Sequence, residues 1–360
     1  MRTFWSSMAK RATPYVPGEQ PNDQDVLKLN TNENPYPPSP AVTSAITKEL
    51  GKDLRLYPPP NADDLKEVIA ATYDVAKENV FVGNGSDEVL AFSFMAFFEP
   101  GHTIRFPNIT YSFYPVYANL FNIPYEEIPV NHDFTLKANA FYHSEGGVIF
   151  PNPNAPTSLS LPLDEVRKIV ENNPENVVIV DEAYVDFAQQ SAVQLIRDYP
   201  NLLVVQTTSK SRSLAGLRVG YAFGDDQLIR ALTRMKDSFN SYTLDRLALA
   251  GAIASFRDSV YTEKTIQKII RTRTWLTKEM TELGFHVLPS DTNFIFVSHK
   301  KHPANRLYDQ LKAKQILVRY FNSDPIDQYL RITIGTDEEM KRFLNAIKQI
   351  MYESNTDESL

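Results

Sequence analysis

The chain has 360 residues, 42% of them hydrophobic and 22% charged, with a formal net charge of −7. That is length enough for one large and one smaller domain, and an acidic balance without a basic tract argues against nucleic acid as a partner. It has no cysteine, which excludes disulfides, thiolate metal sites and a thiol nucleophile.

The N-terminus lacks the apolar core of a secretion signal, and no apolar run reaches membrane-spanning length. A cytoplasmic protein with neither membrane nor metal site is expected. Residues 1–30 are rich in proline, glycine and polar groups and read as an arm, with a turn at Tyr15-Val16-Pro17-Gly18. Leu29-Asn-Thr-Asn32-Glu33-Asn34-Pro35-Tyr36-Pro-Pro38 cannot be helical, because its prolines remove donors and constrain their neighbours. A helix is predicted over 40–50. Leu56-Tyr57-Pro58-Pro-Pro60 is a stiff extended piece, so Tyr57 either packs on its own surface or reaches across a dimer interface.

From here strands and helices alternate. A helix over 63–73 precedes a strand over 79–82, which runs into Gly83-Asn84-Gly85-Ser86-Asp87-Glu88 and a helix over 89–98. Strand, glycine turn and helix start form an anion cradle, because the first backbone N–H groups of a helix have no internal partner. Ser86 and Asp87 also suit plain N-caps. A strand over 102–106 leads to Tyr111, which is either core or a face offered to a planar ligand. A strand over 147–150 leaves into Pro151-Asn-Pro-Asn154-Ala155-Pro-Thr157, and a helix over 163–172 follows. The bare apolar strand over 177–180 ends in Asp181-Glu182-Ala183-Tyr184. A carboxylate there caps a turn or is met by a cation or strong donor. Leu202-Leu-Val-Val205 reads as a buried parallel strand. Past it come Ser209, Lys210 and Arg218. The charged form of a lysine at such a strand end is poorly solvated, which favours a reactive amine able to condense with an aldehyde.

This alternation predicts an open, mostly parallel α/β sheet over residues 31–246. Ligands of such sheets sit beyond the carboxyl ends of the strands, where Gly85, Tyr111, Asn154, Asp181 and Lys210 can converge. Residues 247–360 read as a smaller α+β domain. It comprises one long helical stretch over 247–283, strands over 286–288, 293–297, 316–320 and 329–334, helices over 304–314 and 338–351, and a frayed tail over 353–360. Arg331, within an alternating strand, is either a sheet-edge charge or a fork for a carboxylate or phosphate.

A reactive lysine, a phosphate cradle, a buried aspartate and a stacking aromatic together match pyridoxal phosphate. A carboxylate beside the ring nitrogen keeps that nitrogen protonated, which suits Asp181. Gly85, Ser86, Asp87, Ser209 and Arg218 supply donors and a cation for the phosphate. Lys210, once displaced by an incoming amine, can shuttle a proton. That is the reacting centre of a transaminase.

The same motifs carry a family resemblance. Leu29-Asn-Thr-Asn-Glu-Asn-Pro-Tyr36, Gly83-Asn-Gly-Ser-Asp-Glu88, Asn152-Pro-Asn-Ala-Pro-Thr157, Asp181-Glu-Ala-Tyr184, Thr208-Ser-Lys210, Leu214-Ala-Gly-Leu-Arg218-Val-Gly220 and Leu330-Arg-Ile-Thr-Ile-Gly335 span nearly the whole chain. In this order they resemble the fold-type I pyridoxal-phosphate aminotransferases and, within them, the histidinol-phosphate aminotransferase family. The resemblance implies a large domain with a seven-stranded, mostly parallel sheet flanked by helices, and a homodimer with its sites at the interface. It implies that Lys210 carries the cofactor, Asp181 pairs with the ring nitrogen, Tyr184 donates to the ring 3-oxygen and Tyr111 stacks on the ring. By the same resemblance Ser209 and Arg218, with Tyr57 of the partner subunit, should hold the phosphate. Arg331, assisted by Arg319, binds the carboxylate of glutamate or the phosphate of the other substrate.

The implied reaction is transamination between L-histidinol phosphate and 2-oxoglutarate, a small amino donor and a 2-oxo acid, in histidine biosynthesis. An aromatic amino-acid aminotransferase and a decarboxylase of a phosphorylated amino acid are the alternatives on the same scaffold. Tyr15, Asn34, Tyr57, Asn240, Arg319 and Arg331 are the candidate substrate contacts. The chain departs from the family pattern at Ala155, where the family carries an asparagine that bonds the 3-oxygen, and at Ser158, where it carries glycine. Either Asn154 takes over that contact or Tyr184 bears it alone.

Overall fold

The computed structural model describes residues 4–15, 18–20 and 25–357. Val16 and Pro17 of the predicted turn, and residues 358–360 of the predicted tail, lie outside them. Among the described residues thirteen strands follow in chain order. A short β1 (Leu27–Lys28) is followed by β2 (Val80–Asn84), β3 (Ile104–Pro107), β4 (Tyr125–Ile128), β5 (Val148–Pro151), β6 (Val178–Asp181), β7 (Leu202–Thr207) and β8 (Val219–Phe223). Beyond the Arg246–Arg257 and Ser259–Glu282 helices come β9 (His286–Val287), β10 (Phe294–Ser298), β11 (Ile316–Leu317), β12 (Arg319–Tyr320) and β13 (Tyr329–Thr333).

Seven strands form one sheet in the order β2-β8-β7-β6-β5-β3-β4. β5, β6 and β7 are buried along their whole length, which is why their sequences are apolar runs rather than alternating ones. The exception to parallel order is β8, antiparallel to both β7 and β2. That reversal has a consequence. The other strands deliver their carboxyl ends to one edge of the sheet, and β8 delivers its amino end there, with Val219 beside Asn84 and Gly220 beside Thr207. Arg218, the residue before β8, thereby reaches the same edge.

A second sheet runs β12-β13-β10-β9, antiparallel throughout. β1 pairs in parallel with β11, so the segment leading into the Asn/Pro loop is bound to the C-terminal part of the chain. The apolar core of this half, including Phe294, Ile332, Phe343 and Ile347, also takes in Tyr184 and Ala155.

Several elements differ from the sequence expectation. The helical stretch over 247–283 is two helices, broken at Asp258, whose side chain accepts from the Tyr261 N–H and caps the second. The C-terminal helix continues to Asp357 instead of fraying from 353, and Glu353 on it pairs with Lys314 (3.6 Å). β4, β8 and the Phe113–Phe121 and Asp226–Phe239 helices were not anticipated. β4 is two exposed glutamates between half-buried and buried ends, a pattern without strict alternation. Among the described residues no helix is long and apolar enough to cross a membrane, and no group of side chains could hold a metal ion.

Candidate active site

The sheet edge where β2, β3, β5, β6 and β7 end, and β8 begins, opens onto a cavity of about 340 Å³. Asp181, Tyr184, Lys210, Ser209, Arg218, Ser86, Asp87 and Tyr111 line it from the large sheet, and Arg319 and Arg331 from the small one. Tyr15 closes it from the arm, its ring stacked on Phe113 at 4.5 Å.

Asp181 is the last residue of β6 and is buried. Its carboxylate accepts from the Tyr114 hydroxyl (2.9 Å) and the Ala183 N–H (3.2 Å). Burial pushes its pKa up to about 6, and these donors oppose the rise. Among the described residues the carboxylate has no cationic contact within salt-bridge distance. One strand over, past the end of β7, the Lys210 ammonium donates, among the described residues, to the Thr31 carbonyl alone (3.3 Å) and lies 5.7 Å from the centre of the Tyr184 ring.

The glycine turn is built around Arg218. The Gly85–Phe97 helix starts without a side-chain cap, so its first N–H groups are left for a ligand. Arg218 donates to Asp87 (3.0 Å), and the Tyr111 hydroxyl donates to the other oxygen of the same carboxylate (2.8 Å). Gly85 has φ +78°, and a Cβ there would stand 2.5 Å from the Arg218 guanidinium. A Cβ at Gly220 would stand 2.3 Å from the Ser86 nitrogen. Both glycines are required by this close approach of backbone and arginine.

At the other end, Arg319 and Arg331 are directly paired across β12 and β13. Like charges opposite each other on a sheet are unfavourable unless an anion joins them. Arg331 donates to the Asn30 carbonyl (2.9 Å), and its buried Nε has no partner among the described residues. Desolvation, with Arg319 adding to it, lowers its pKa from the usual arginine value. Among the described residues neither arginine forms an ion pair. Phe321 lies against both guanidinium groups, 5.5 Å from Arg319 and 5.6 Å from Arg331.

Five candidate residues are not part of the cavity lining. Asn34 donates to the Lys210 and Ser211 carbonyls (2.9 and 3.0 Å), so it fixes the lysine's backbone and does not line the cavity. Asn240 ends the Asp226–Phe239 helix and accepts from the Tyr242 N–H (3.3 Å). Asn154 spends its amide on the Ile109 carbonyl (3.0 Å) and Thr157 (2.9 Å), behind the wall, and leaves Ala155 to face the cavity. It does not stand in for the asparagine missing at 155. Gly85 lies beneath the cavity, and Tyr57 stands outside it, 77% exposed and stacked on Tyr242 at 4.7 Å.

Sequence reasoning missed Asn32 and Tyr114. Asn32 donates to the Tyr184 hydroxyl (2.8 Å). It lies in the quoted Asn/Pro loop, but nothing in the loop's composition separates it from Asn34. Tyr114 sits three residues after Tyr111, a spacing that puts both on one helical face, but the Phe113–Phe121 helix itself was not foreseen.

Residues 24–347 match the family model described as Aminotransferase class I and II. The chain belongs to the class I and II aminotransferases. It is 56% identical to histidinol-phosphate aminotransferase 1 of Oceanobacillus iheyensis over 98% of this chain and 99% of that one. It is 55% identical to histidinol-phosphate aminotransferase of Clostridium acetobutylicum, over 97% of this chain and 99% of that one. Its fold matches the crystal structure of histidinol-phosphate aminotransferase from Sinorhizobium meliloti in complex with pyridoxal-5'-phosphate. That likeness has a TM-score of 0.89 at 23% identity and covers 98% of this chain and 99% of that one. As a class I and II aminotransferase, the chain is an enzyme acting on small molecules.

The donor set fits the cofactor read from the sequence. Among the described residues it offers a buried carboxylate without an ion-pair partner, an amine with one weak partner, and an uncapped helix start where an arginine packs against Gly85.

Proposed function

We propose that this aminotransferase uses pyridoxal phosphate to exchange the amino group of L-histidinol phosphate with 2-oxoglutarate, yielding imidazole-acetol phosphate and L-glutamate in histidine biosynthesis. The observation that carries the substrate assignment is the facing pair Arg319 and Arg331, the latter desolvated and both free of ion pairs among the described residues. Two guanidinium groups suit a phosphate in one half-reaction and a carboxylate in the other. The full-length identity to proteins named for this activity supports the same reading.

When bound, the cofactor supplies an electron sink for the carbon that loses its proton. Asp181 holds a proton on the ring nitrogen, and Tyr114 and the Ala183 N–H keep that carboxylate aimed. Lys210 would hold the cofactor's aldehyde and, once released, is placed to carry the proton. Tyr184 donates to the 3-oxygen, and Tyr111 covers the ring face while bonding Asp87. Ser86, Asp87, Ser209 and Arg218 surround the phosphate. Arg331 grips the substrate anion, assisted by Arg319, with Tyr15 over it.

The working form is a cytoplasmic homodimer, in which Tyr57 of the partner subunit completes the phosphate site. The exposure of Leu54, Leu56 and Tyr57 within four residues of one another supports that pairing.

The test uses glutamate as donor with imidazole-acetol phosphate and phenylpyruvate as competing acceptors. The expected kcat/KM favours imidazole-acetol phosphate. A ratio favouring phenylpyruvate would replace the reading with an aromatic amino-acid aminotransferase.

A further inference from the structure

The Tyr184 hydroxyl has one proton, and its direction can be worked out from its neighbours. Asn32, Thr333 and Tyr184 form a buried chain of hydrogen bonds. The Thr333 hydroxyl accepts from the Asn32 N–H (3.0 Å) and donates to the Asn32 side-chain oxygen (3.0 Å). That commits the oxygen of the amide and turns its NH₂ toward Tyr184, 2.8 Å away. An NH₂ has no lone pair to offer, so Tyr184 is the acceptor in this bond. Its own proton is left for the cavity, which Tyr184 lines.

The backbone of Asn32 is held as firmly. Its carbonyl accepts from the Asn293 amide (2.9 Å), and its φ of 57° is one that asparagine tolerates better than most residues. We infer that Asn32 is a positioning residue that sets the Tyr184 hydroxyl as a donor into the cofactor cavity, the task made necessary by Ala155 standing where a second donor would be. The inference rests on the proposed cofactor and adds to it a residue of the cavity wall that touches the cofactor only through Tyr184. The Asn/Pro loop thus does more than connect elements. Through Asn32 it links β13 of the small sheet to the hydroxyl that faces the ring.

A donor to the ring 3-oxygen favours that oxygen's anionic form, so losing the donor raises the pH at which the visible absorbance of the bound cofactor changes. The experiment is a pH titration of that absorbance, with pyridoxal phosphate added, for wild type, Tyr184→Phe, Asn32→Gly and the double variant. Glycine accepts the positive φ and adds no charge. Tyr184→Phe should raise the midpoint by roughly half a pH unit or more, the scale of one neutral hydrogen bond. Asn32→Gly should raise it in the same direction by less, and should add nothing in the Tyr184→Phe background.

An unchanged midpoint in Asn32→Gly overturns the inference, and so does an equal shift in both backgrounds. If Asn32→Gly does not fold, Thr333→Val tests the same point, because it frees the amide to turn over, and the same two outcomes decide. A purely structural role would lower the melting temperature and leave the midpoint in place. Wild-type protein that shows no visible band with pyridoxal phosphate would instead refute the cofactor assignment on which this rests.

Discussion

The two ends of the cavity are built on opposite principles. At the large-sheet end the charged and phenolic side chains are already met by internal partners. Asp181 is met by Tyr114, Asp87 by Arg218 and Tyr111, and Tyr184 by Asn32. At the small-sheet end two arginines face each other and neither has a carboxylate among the described residues. The first end is organised before anything binds. The second is an uncompensated positive site that an anion would relieve. A cofactor that stays and substrates that alternate would call for this division, with preorganisation where geometry must not change and a forked charge where two different anions are accepted in turn.

The comparison breaks most sharply at Lys210. Lys210→Ala should lower transamination by at least about a thousandfold, the scale of a lost acid–base group. It should also alter the visible spectrum of the protein with pyridoxal phosphate. A variant with most of its activity in a steady-state assay would remove Lys210 from its role. Arg331→Gln is next. It should reduce kcat/KM for L-histidinol phosphate by roughly ten- to a hundredfold, mostly through KM, because it removes one bidentate charge-assisted contact. An equal fall in kcat alone would place Arg331 in the chemistry instead.

Gly85→Ala probes the organised end. Its added Cβ meets the Arg218 guanidinium, so pyridoxal phosphate should bind several-fold more weakly in an equilibrium titration while the chain still folds. Unchanged affinity would remove Arg218 from the phosphate site.

The smallest effect is on stability against pH. Burial pushes Asp181 up to about 6 and Glu182 to about 7. Both hold their protons more tightly in the folded chain than in the unfolded one. Between about pH 4 and 7 the folded state therefore binds more protons, and stability falls as pH rises. Without cofactor, the melting temperature should drop by a few degrees across that window, and Asp181→Asn should remove the part below about pH 6. Added pyridoxal phosphate should flatten the same part, since a protonated ring nitrogen compensates the carboxylate. A melting temperature that rises through this range would contradict the assignment.

Much of this was legible in the sequence because it rests on local signals. The apolar runs of β5, β6 and β7 end in Pro151, Asp181 and the Thr207–Lys210 turn, so polar residues just past buried strands marked the cavity. Position along a strand also singled out Arg331. What stayed hidden depends on contacts distant in sequence. Asn32 and Thr333 are 301 positions apart, and no pattern around either announces the bond. Asn34, Asn154 and Asn240 looked like ligands by type and loop position, but each satisfies backbone groups nearby. An asparagine side chain does either job equally well, and only the fold decides which. The reversal at β8 was unread for a similar reason, since a short buried run carries no mark of its direction.

The central claim is that the unpaired arginines await the substrate's phosphate. The most direct measurement compares kcat/KM for L-histidinol phosphate with that for L-histidinol, using 2-oxoglutarate as acceptor. Loss of the phosphate leaves two facing cations without their anion, so the account predicts a fall of about a hundredfold or more, and a much smaller difference in Arg331→Gln. Equal efficiency with both substrates in the wild-type enzyme would contradict it.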